Sequence, residues 1–416
     1  MKRIISPSTI NGAIHAPSSK SMMQRCIVAA LLGEGQTSIM NPSLCDDTLA
    51  ALKIAEQLGA AVNLENDQVR ITGGFNPREE VLHCGESGLA ARMFSAVASL
   101  HHAPVTLTGL GSLKNRPFGM IEGPLSELGV ECETTNGFIP VRVKGPMKGG
   151  RARVDGSTTS QFLTGLLMSL PVVNKDSELL VRNLNSKPYI DVTLKVLQDF
   201  GIEVENQAYN RFLVKGNQHY KAREYEVEGD WSGAAFLLTA GALNGKVKVT
   251  GIQKDSPQAD RNIVAALERA GARVNIMNDT VEVIAGDLVP FEFDATECPD
   301  LFPPLVALAA HCTGITILTG TGRLKSKESN RALVLKEIFS NLGVRIDLEK
   351  NQMIIHGGRV ETGSLHASND HRVAMAAAIA GIKAAGKVEI RGSDCVSKSY
   401  PHFFDDYIKM GGKADE

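Results

Sequence analysis

Residues 58–74 read LGAAVNLENDQVRITGG: a helix end, a glycine, then two short runs in which apolar and polar residues alternate around Asn66 and Asp67. Period-2 alternation on both sides of a polar turn predicts a β-hairpin. The phrase returns as LGVECETTNGFIPVRVKG (128–145), FGIEVENQAYNRFLVKG (200–216), AGARVNIMNDTVEVIAG (270–286) and LGVRIDLEKNQMIIHGG (342–358). Its anchoring glycines are Gly59, Gly129, Gly201, Gly271 and Gly343, a period of about 70, with a last echo at Gly411 where the chain runs out before its hairpin. Solenoid repeats are shorter, roughly 20–50 residues. Each unit here holds two helices and several strands, enough for a compact βαβαββ-like motif. Six units divide into two domains of three, an α/β (α+β) fold. The sixth unit lacks its hairpin, so the N-terminal strands Arg3–Ile5 and Ala13–His15 are expected to complete the second domain. Chain crossings near residues 14 and 228 then give one domain of 15–228 and another of 1–14 plus 229–416.

Working outward, the first helix of each unit starts at one phase, at Ser18–Lys20, Gly85–Gly88, Thr158–Gln161, Gly229–Ser232, Pro299–Asp300 and Asn369–His371. A second set starts near Asp46, Asn115–Pro117, Ser186–Tyr189, Asp260, Lys327–Arg331 and Lys398–Tyr400. In SSKSMMQR (18–25) the serines suit a cap, and Met22, Met23, Cys26, Ile27, Ala30 and Leu31 form an apolar face. Capping accounts for Ser, Thr, Asp and Gly at such starts. It does not account for Lys and Arg, which oppose the helix dipole there. An anionic ligand held at one cleft between the domains is the better account.

The remaining features bound the class. The chain has 416 residues, a net charge of −2, 43% apolar and 22% charged residues, so bulk charge suggests neither nucleic acid nor membrane. Seven scattered cysteines without a C-x-x-C pair fit reduced thiols. Met1-Lys2-Arg3 opens no signal-peptide pattern, and Leu301–Gly322 reads as a buried helix, turn and strand rather than a span. The expectation is a soluble, cytoplasmic monomer. Gly109-x-Gly111 and Gly320-x-Gly322 fall short of a dinucleotide fingerprint, and no Walker-type motif occurs.

With these residues in view, the chain resembles the 5-enolpyruvylshikimate-3-phosphate synthase family of enolpyruvyl transferases. The resemblance runs end to end on SSKSMMQR, CGESGLAARMF (84–94), NRPFGMIEGPLSELG (115–129), GSTTSQFLTGLLMSLP (156–171) and NSKPYIDVTLKVL (185–197). It continues in VEGDWSGAAF (227–236), KSKESNR (325–331), NDHRVAMAAAIAG (369–381) and CVSKSYPHFF (395–404). It implies a two-domain inside-out barrel, each domain of three βαβαββ repeats. It also implies transfer of the enolpyruvyl group of phosphoenolpyruvate to the 5-hydroxyl of shikimate 3-phosphate, releasing phosphate, on the route to chorismate and aromatic amino acids. No organic cofactor and no metal are implied, and the partners are the two small substrates. Each carries a phosphate and a carboxylate, so cations must offset their repulsion.

Position by position, the resemblance implies that Lys20 bridges both substrates while Ser21 and Arg25 hold shikimate 3-phosphate. Gly88 would leave room beside phosphoenolpyruvate, and Arg116 would hold an anionic group of it. Thr159, Ser160 and Gln161 would cradle the shikimate phosphate, with Gln161 reaching the second substrate. Ser186 and Tyr189 would contact shikimate 3-phosphate again. Asp300 would be the acid/base aspartate, Glu328 its partner carboxylate, and Lys327 would face shikimate 3-phosphate. Arg331, Arg372 and Lys398 would complete the phosphoenolpyruvate site, and His371 would lie near it. Glu86, Leu89, Asn330 and Thr159 depart from the family's common residues. Glu86 and Leu89 leave the response to glyphosate, the family's phosphoenolpyruvate-competing inhibitor, open; a carboxylate beside an anion site is unfavourable unless paired. Two alternatives stand beside this reading: a transferase acting on UDP-N-acetylglucosamine, whose usual loop cysteine is missing from Gly109–Pro117, and a non-catalytic anion-binding protein. The related RNA 3′-phosphate cyclases would need a nucleotide-site signature that the chain does not show.

Overall fold

In the computed structural model, which describes residues 1–65 and 67–416, the chain forms two compact units, Ser18–Val227 and Met1–Pro17 with Glu228–Glu416. The turn residue Asn66 of the first hairpin lies outside the described residues.

The helices of the first unit are α1 (Lys20–Leu32), α2 (Asp46–Gln57), α3 (Gly88–Ala98), α4 (Glu122–Glu127), α5 (Gln161–Ser169) and α6 (Lys187–Asp199). Those of the second are α7 (Trp231–Asn244), α8 (Ile263–Arg269), α9 (Phe302–Ala309), α10 (Arg331–Ser340), α11 (His371–Gly381) and α12 (Phe403–Lys409). Helices α3, α9 and α11 are buried along their whole length, and α1, α5 and α7 nearly so. A helix apolar on every side belongs inside a core. In each unit these three first helices pack on one another, and the sheets lie outside them with one face turned to solvent. Helices sit within and strands without, the reverse of a strand-centred barrel. Gly165 permits the closest of these packings, because a Cβ there would lie 2.8 Å from the Met93 carbonyl oxygen on α3.

Each repeat builds one four-stranded sheet, which in the second, third and fifth repeats consists of two parallel strands joined through the first helix and then a hairpin that follows the second. In the second repeat Val81–His83 runs parallel to Val105–Thr108, which pairs antiparallel with Phe138–Lys144 and through it with Glu131–Thr135. The glycines that end the second helices are all left-handed, with φ of 116° at Gly59, 80° at Gly129 and Gly201, 93° at Gly271, 77° at Gly343 and 94° at Gly411. Their amides bond three residues back, and the next amide bonds five back, as from Val130 to Leu125 and from Gly412 to Tyr407. This closure turns each helix into its hairpin, and only glycine adopts it without strain.

One expectation needs correction. The sixth repeat does not end at Gly411, because Lys413–Asp415 forms its edge strand and pairs with Lys2–Ser6. Of the N-terminal strands only Lys2–Ser6 joins that sheet; Ile10–His15 runs parallel to Gly245–Thr250 and opens the fourth repeat. The first unit closes in the same way, with Glu224–Glu226 parallel to Gln36–Met40. A three-residue strand with one inward side chain carries too little alternation to be read from sequence.

Candidate functional site

The expected helix starts fall mainly where the spacing put them, with side-chain caps from Ser19, Ser87, Asp230 and Asp370 on α1, α3, α7 and α11. Four starts are looser, among them Asp260 in the 3-10 turn Ala259–Asn262 ahead of α8. Asn115–Pro117 lies between 3-10 turns and ahead of α4, Asp300 sits in the 3-10 turn Pro299–Leu301, and Lys398 ends the turn Ser393–Lys398 before α12.

In the unit Ser18–Val227, Lys20 reaches Asp47 on α2 at 2.8 Å. Arg25 is 1% exposed and ties three helices together. Its Nε donates to Thr193 Oγ1 (2.9 Å), its Nη1 to the Ser21 carbonyl (2.6 Å), and its Nη2 to Thr164 Oγ1 (3.3 Å) and the Tyr189 carbonyl (3.1 Å). Burial pulls its pKa down to about 10. Ser186, buried at the start of α6, takes a left-handed conformation (φ 58°, ψ 46°), which costs a residue with a Cβ about 1 kcal/mol or more. The Thr159 hydroxyl accepts the Gln161 amide at 3.2 Å, and Ser160 is buried beside them.

Gly88, the first residue of α3, lies in a notch of polar side chains. A Cβ built there would come within 2.6 Å of Arg116 Nη1, 3.0 Å of Arg92 Nη1 and 3.4 Å of Gln161 Oε1. Arg92 was not singled out from the sequence, where one arginine in an alanine-rich helix gives no distinguishing signal. It donates to Gln161 Oε1 (2.6 Å) and the Pro117 carbonyl (2.9 Å) and stacks on Phe118, with its charge 4.7 Å from the ring centre. Its Nε is buried with no hydrogen-bond partner among the described residues. Burial, and then the charge of Arg116, push its pKa down to about 9. The carboxylate of Glu86 accepts from the amide (2.9 Å) and hydroxyl (3.0 Å) of Ser112, which pairs the charge that looked unfavourable.

The other unit gathers its expected residues around one guanidinium. Arg331 opens α10 and is 0% exposed. It meets Asp300 Oδ1 at 2.8 Å and Asp370 Oδ2 at 2.9 Å, and also bonds Glu328. Burial opposes its charge, yet these three carboxylates raise its pKa above the ordinary arginine value. Asp300 also takes Lys327 (3.2 Å) and Arg372 (3.2 Å). Burial alone would raise its pKa, but Arg372, Lys327 and Arg331 hold it well below the usual carboxylate range. Lys398 donates to the Asn369 carbonyl at 2.8 Å, and His371 is buried next to Asp370. Asp370, read from sequence as a cap, also receives Ser329 at 2.9 Å, so it holds the start of α11 and Arg331 together. Arg331, Lys327 and Arg372 therefore meet protein carboxylates, which the sequence reading had not anticipated. No group of three or more His, Cys, Asp or Glu among the described residues could hold a metal ion, and no described helix is long and apolar enough to cross a membrane.

An ionised aspartate ringed by cations in one unit, and a glycine notch edged by arginines in the other, suit anionic substrates and proton movement. Comparison with known proteins points the same way. The chain is similar to the 3-phosphoshikimate 1-carboxyvinyltransferase of Clostridium perfringens (strain ATCC 13124), 35% identical over 417 residues, covering 99% of this chain and 98% of the relative. It is 34% identical over 430 residues to the protein of that name from Clostridioides difficile (strain 630), with the same coverage. Among solved structures, an EPSP synthase from Acinetobacter baumannii superposes with a TM-score of 0.83 at 24% identity over the whole of both chains. The enolpyruvyl transferase NikO from Streptomyces tendae gives 0.79 at 17%, covering 100% of this chain and 98% of that one; both likenesses concern the mixed α/β fold. With a sequence profile for EPSP synthase (3-phosphoshikimate 1-carboxyvinyltransferase) matching residues 4–407, the chain belongs to the EPSP synthase family.

Proposed function

We infer that this protein transfers the enolpyruvyl group of phosphoenolpyruvate to the 5-hydroxyl of shikimate 3-phosphate and releases phosphate. The observation that carries the reading is Asp300, a carboxylate kept ionised by Arg331, Lys327 and Arg372. An anionic substrate entering this cluster competes for the same cations. As they turn to the substrate, Asp300 loses its stabilising partners and its proton affinity rises, which suits it to accept the hydroxyl proton. The oxygen adds to the carbon bearing the phosphate and a proton joins the methylene carbon; the tetrahedral adduct then expels phosphate while a proton leaves its new methyl group, which restores the carbon–carbon double bond. Glu328 is the partner carboxylate for these proton movements, and Lys20 is a further cation for both substrates.

In the same reading, Ser21, Arg25, Thr159, Ser160, Gln161, Ser186, Tyr189 and Lys327 hold shikimate 3-phosphate. Arg25 acts partly by fixing the geometry of Ser21 and Tyr189, whose carbonyls it binds. Gly88, Arg116, Gln161, Arg331, Arg372 and Lys398 serve phosphoenolpyruvate. The domain Ser18–Val227 takes the shikimate side, and the protein acts as a cytoplasmic monomer.

The test is phosphate release from phosphoenolpyruvate with shikimate 3-phosphate or UDP-N-acetylglucosamine as acceptor, and with Asp300→Ala as control. Release with shikimate 3-phosphate alone, lost in the variant, is the expected result. Release only with the nucleotide sugar would make the chain a transferase for that acceptor. Tight anion binding without release would leave a binding protein.

A further inference from the structure

Asp260 has no role in the reaction as drawn above. It lies in the 3-10 turn Ala259–Asn262 ahead of α8 and is 1% exposed. The hydroxyl of Ser232, in the first turn of α7, donates to its Oδ2. Its Oδ1 is buried and has no hydrogen-bond partner among the described residues. An ionised carboxylate with one oxygen buried and bare is costly, whereas a neutral carboxylic acid tolerates that setting.

The groups whose charge or hydrogen bonding reaches Asp260 come from three neighbouring elements. They are Asp230 and Ser232 from α7, Cys298 and Asp300 from the segment leading into α9, and Arg372 from α11. On its own turn, Arg261 donates instead to the Lys254 carbonyl. Burial first, and then the charge of Asp300, push the Asp260 carboxyl up to about 7, with Arg372 and the Ser232 hydroxyl acting the other way. Two carboxyl groups acting on one arginine are thus driven apart, Asp300 towards the charged form and Asp260 towards the neutral one. Environments that separate two such groups assign them different tasks.

We propose that Asp260 is a positioning residue for the enolpyruvyl-transfer site: with a proton it leaves Arg372 to Asp300 and to the phosphoenolpyruvate anion, and without it Asp260 competes for Arg372 and loosens the anion. This rests on the functional reading above. It assigns Asp260 no contact with substrate; its effect passes through Arg372.

Asp260→Asn is the test, because it keeps the shape and an acceptor for Ser232 while removing the charge. The first readout needs no substrate. Folded Asp260 keeps a proton that the unfolded chain has lost above about pH 4, so wild-type stability falls as pH rises from about 4 to about 7. Relative to Asp260→Asn, the wild-type melting temperature should therefore drop by about 3 °C or more between pH 5 and pH 8. The second readout is the calorimetric Kd of phosphoenolpyruvate. Between pH 6 and pH 8 it should weaken ~3–10-fold more in the wild type than in Asp260→Asn, one unit of charge acting through Arg372. Ser232→Ala removes a bond that favours the ionised form, so it should move the wild-type inflection to higher pH.

Parallel pH profiles of Kd in wild type and Asp260→Asn would overturn the proposal, as would an inflection left in place by Ser232→Ala. A purely structural Asp260 would lower stability in both variants and move neither profile. Phosphate release is scored separately. A wild type that releases none defeats the transferase reading, while the two profiles still decide what Asp260 does.

Discussion

The two units place their arginines in opposite surroundings. Arg331 is fully buried and meets three carboxylates, Asp300, Glu328 and Asp370. Arg92 is as deeply buried, yet its recorded partners are a neutral amide, a carbonyl and a phenyl ring. Burial opposes both charges, but the net outcome differs in sign: Arg331 ends above the ordinary arginine pKa and Arg92 below it, at about 9. The first cluster is neutralised from within and is stable without a ligand. The second carries a desolvation cost that an anion at the Gly88 notch would offset. One unit is built to exchange partners, the other to gain one.

Replacing Arg331 should break this contrast most severely. Arg331→Met leaves three buried or half-buried carboxylates facing one another, and losing one member of such a buried network costs about 3–5 kcal/mol. Chemical denaturation of the variant checks it; a loss below about 1 kcal/mol would show that solvent already screens the cluster. Next comes Asp300→Asn, expected to slow phosphate release ~10²–10⁴-fold with the fold intact, the usual contribution of a positioned acid–base group. Acid sharpens the same point. The Asp300 pKa is depressed in the folded state, so its contribution is present above its unfolded value near 3.8 and is lost as pH falls through the lower folded value. Acid titration followed by far-UV circular dichroism should show Asp300→Asn losing less stability than wild type below about pH 4.

The notch should respond with smaller effects. Arg92→Met removes a desolvated charge that no recorded carboxylate accompanies, so stability should change by less than about 1 kcal/mol. The KM for phosphoenolpyruvate should rise ~10-fold, about the 1.4 kcal/mol expected of a charge-assisted contact. If stability falls by several kcal/mol and KM holds, Arg92 is a structural pillar and the contrast fails.

Much of the scaffold was legible because one constraint recurs. A helix that turns back into a hairpin needs a left-handed residue, so Gly59, Gly129, Gly201, Gly271, Gly343 and Gly411 mark the repeat directly. Helix starts were legible through their caps, and the site through cations that caps do not explain. Strand order across the chain ends was not, since Glu224–Glu226 and Lys413–Asp415 are three residues each and their pairing is non-local. Arg92, Asp370 and Asp260 were missed as site groups for a related reason. An arginine in a helix, or an acid at a helix start, reads the same whether it faces water or a buried charge; only packing distinguishes them. Packing also added partners that the sequence did not show, since the cations near Asp300 meet carboxylates 27 to 72 positions away in the chain or nearby in it.

The smallest expected effect lies at Glu86, two residues before Gly88. Its carboxylate accepts two hydrogen bonds from Ser112, and a Cβ on Gly111 would lie 2.4 Å from it, so the side chain is held against the start of a 3-10 turn. Glu86→Gln keeps an acceptor and loses the charge assistance, which should cost about 0.5–1.5 kcal/mol of stability. If Ser112 absorbs the negative charge, little of its field reaches the Arg92–Arg116 notch, and the KM for phosphoenolpyruvate should change by less than ~3-fold, about 0.7 kcal/mol. A tenfold tighter KM would mean that Glu86 already serves as a distant counter-charge for those arginines. The two units would then differ in degree, with a carboxylate near the arginines of both and only its distance changed.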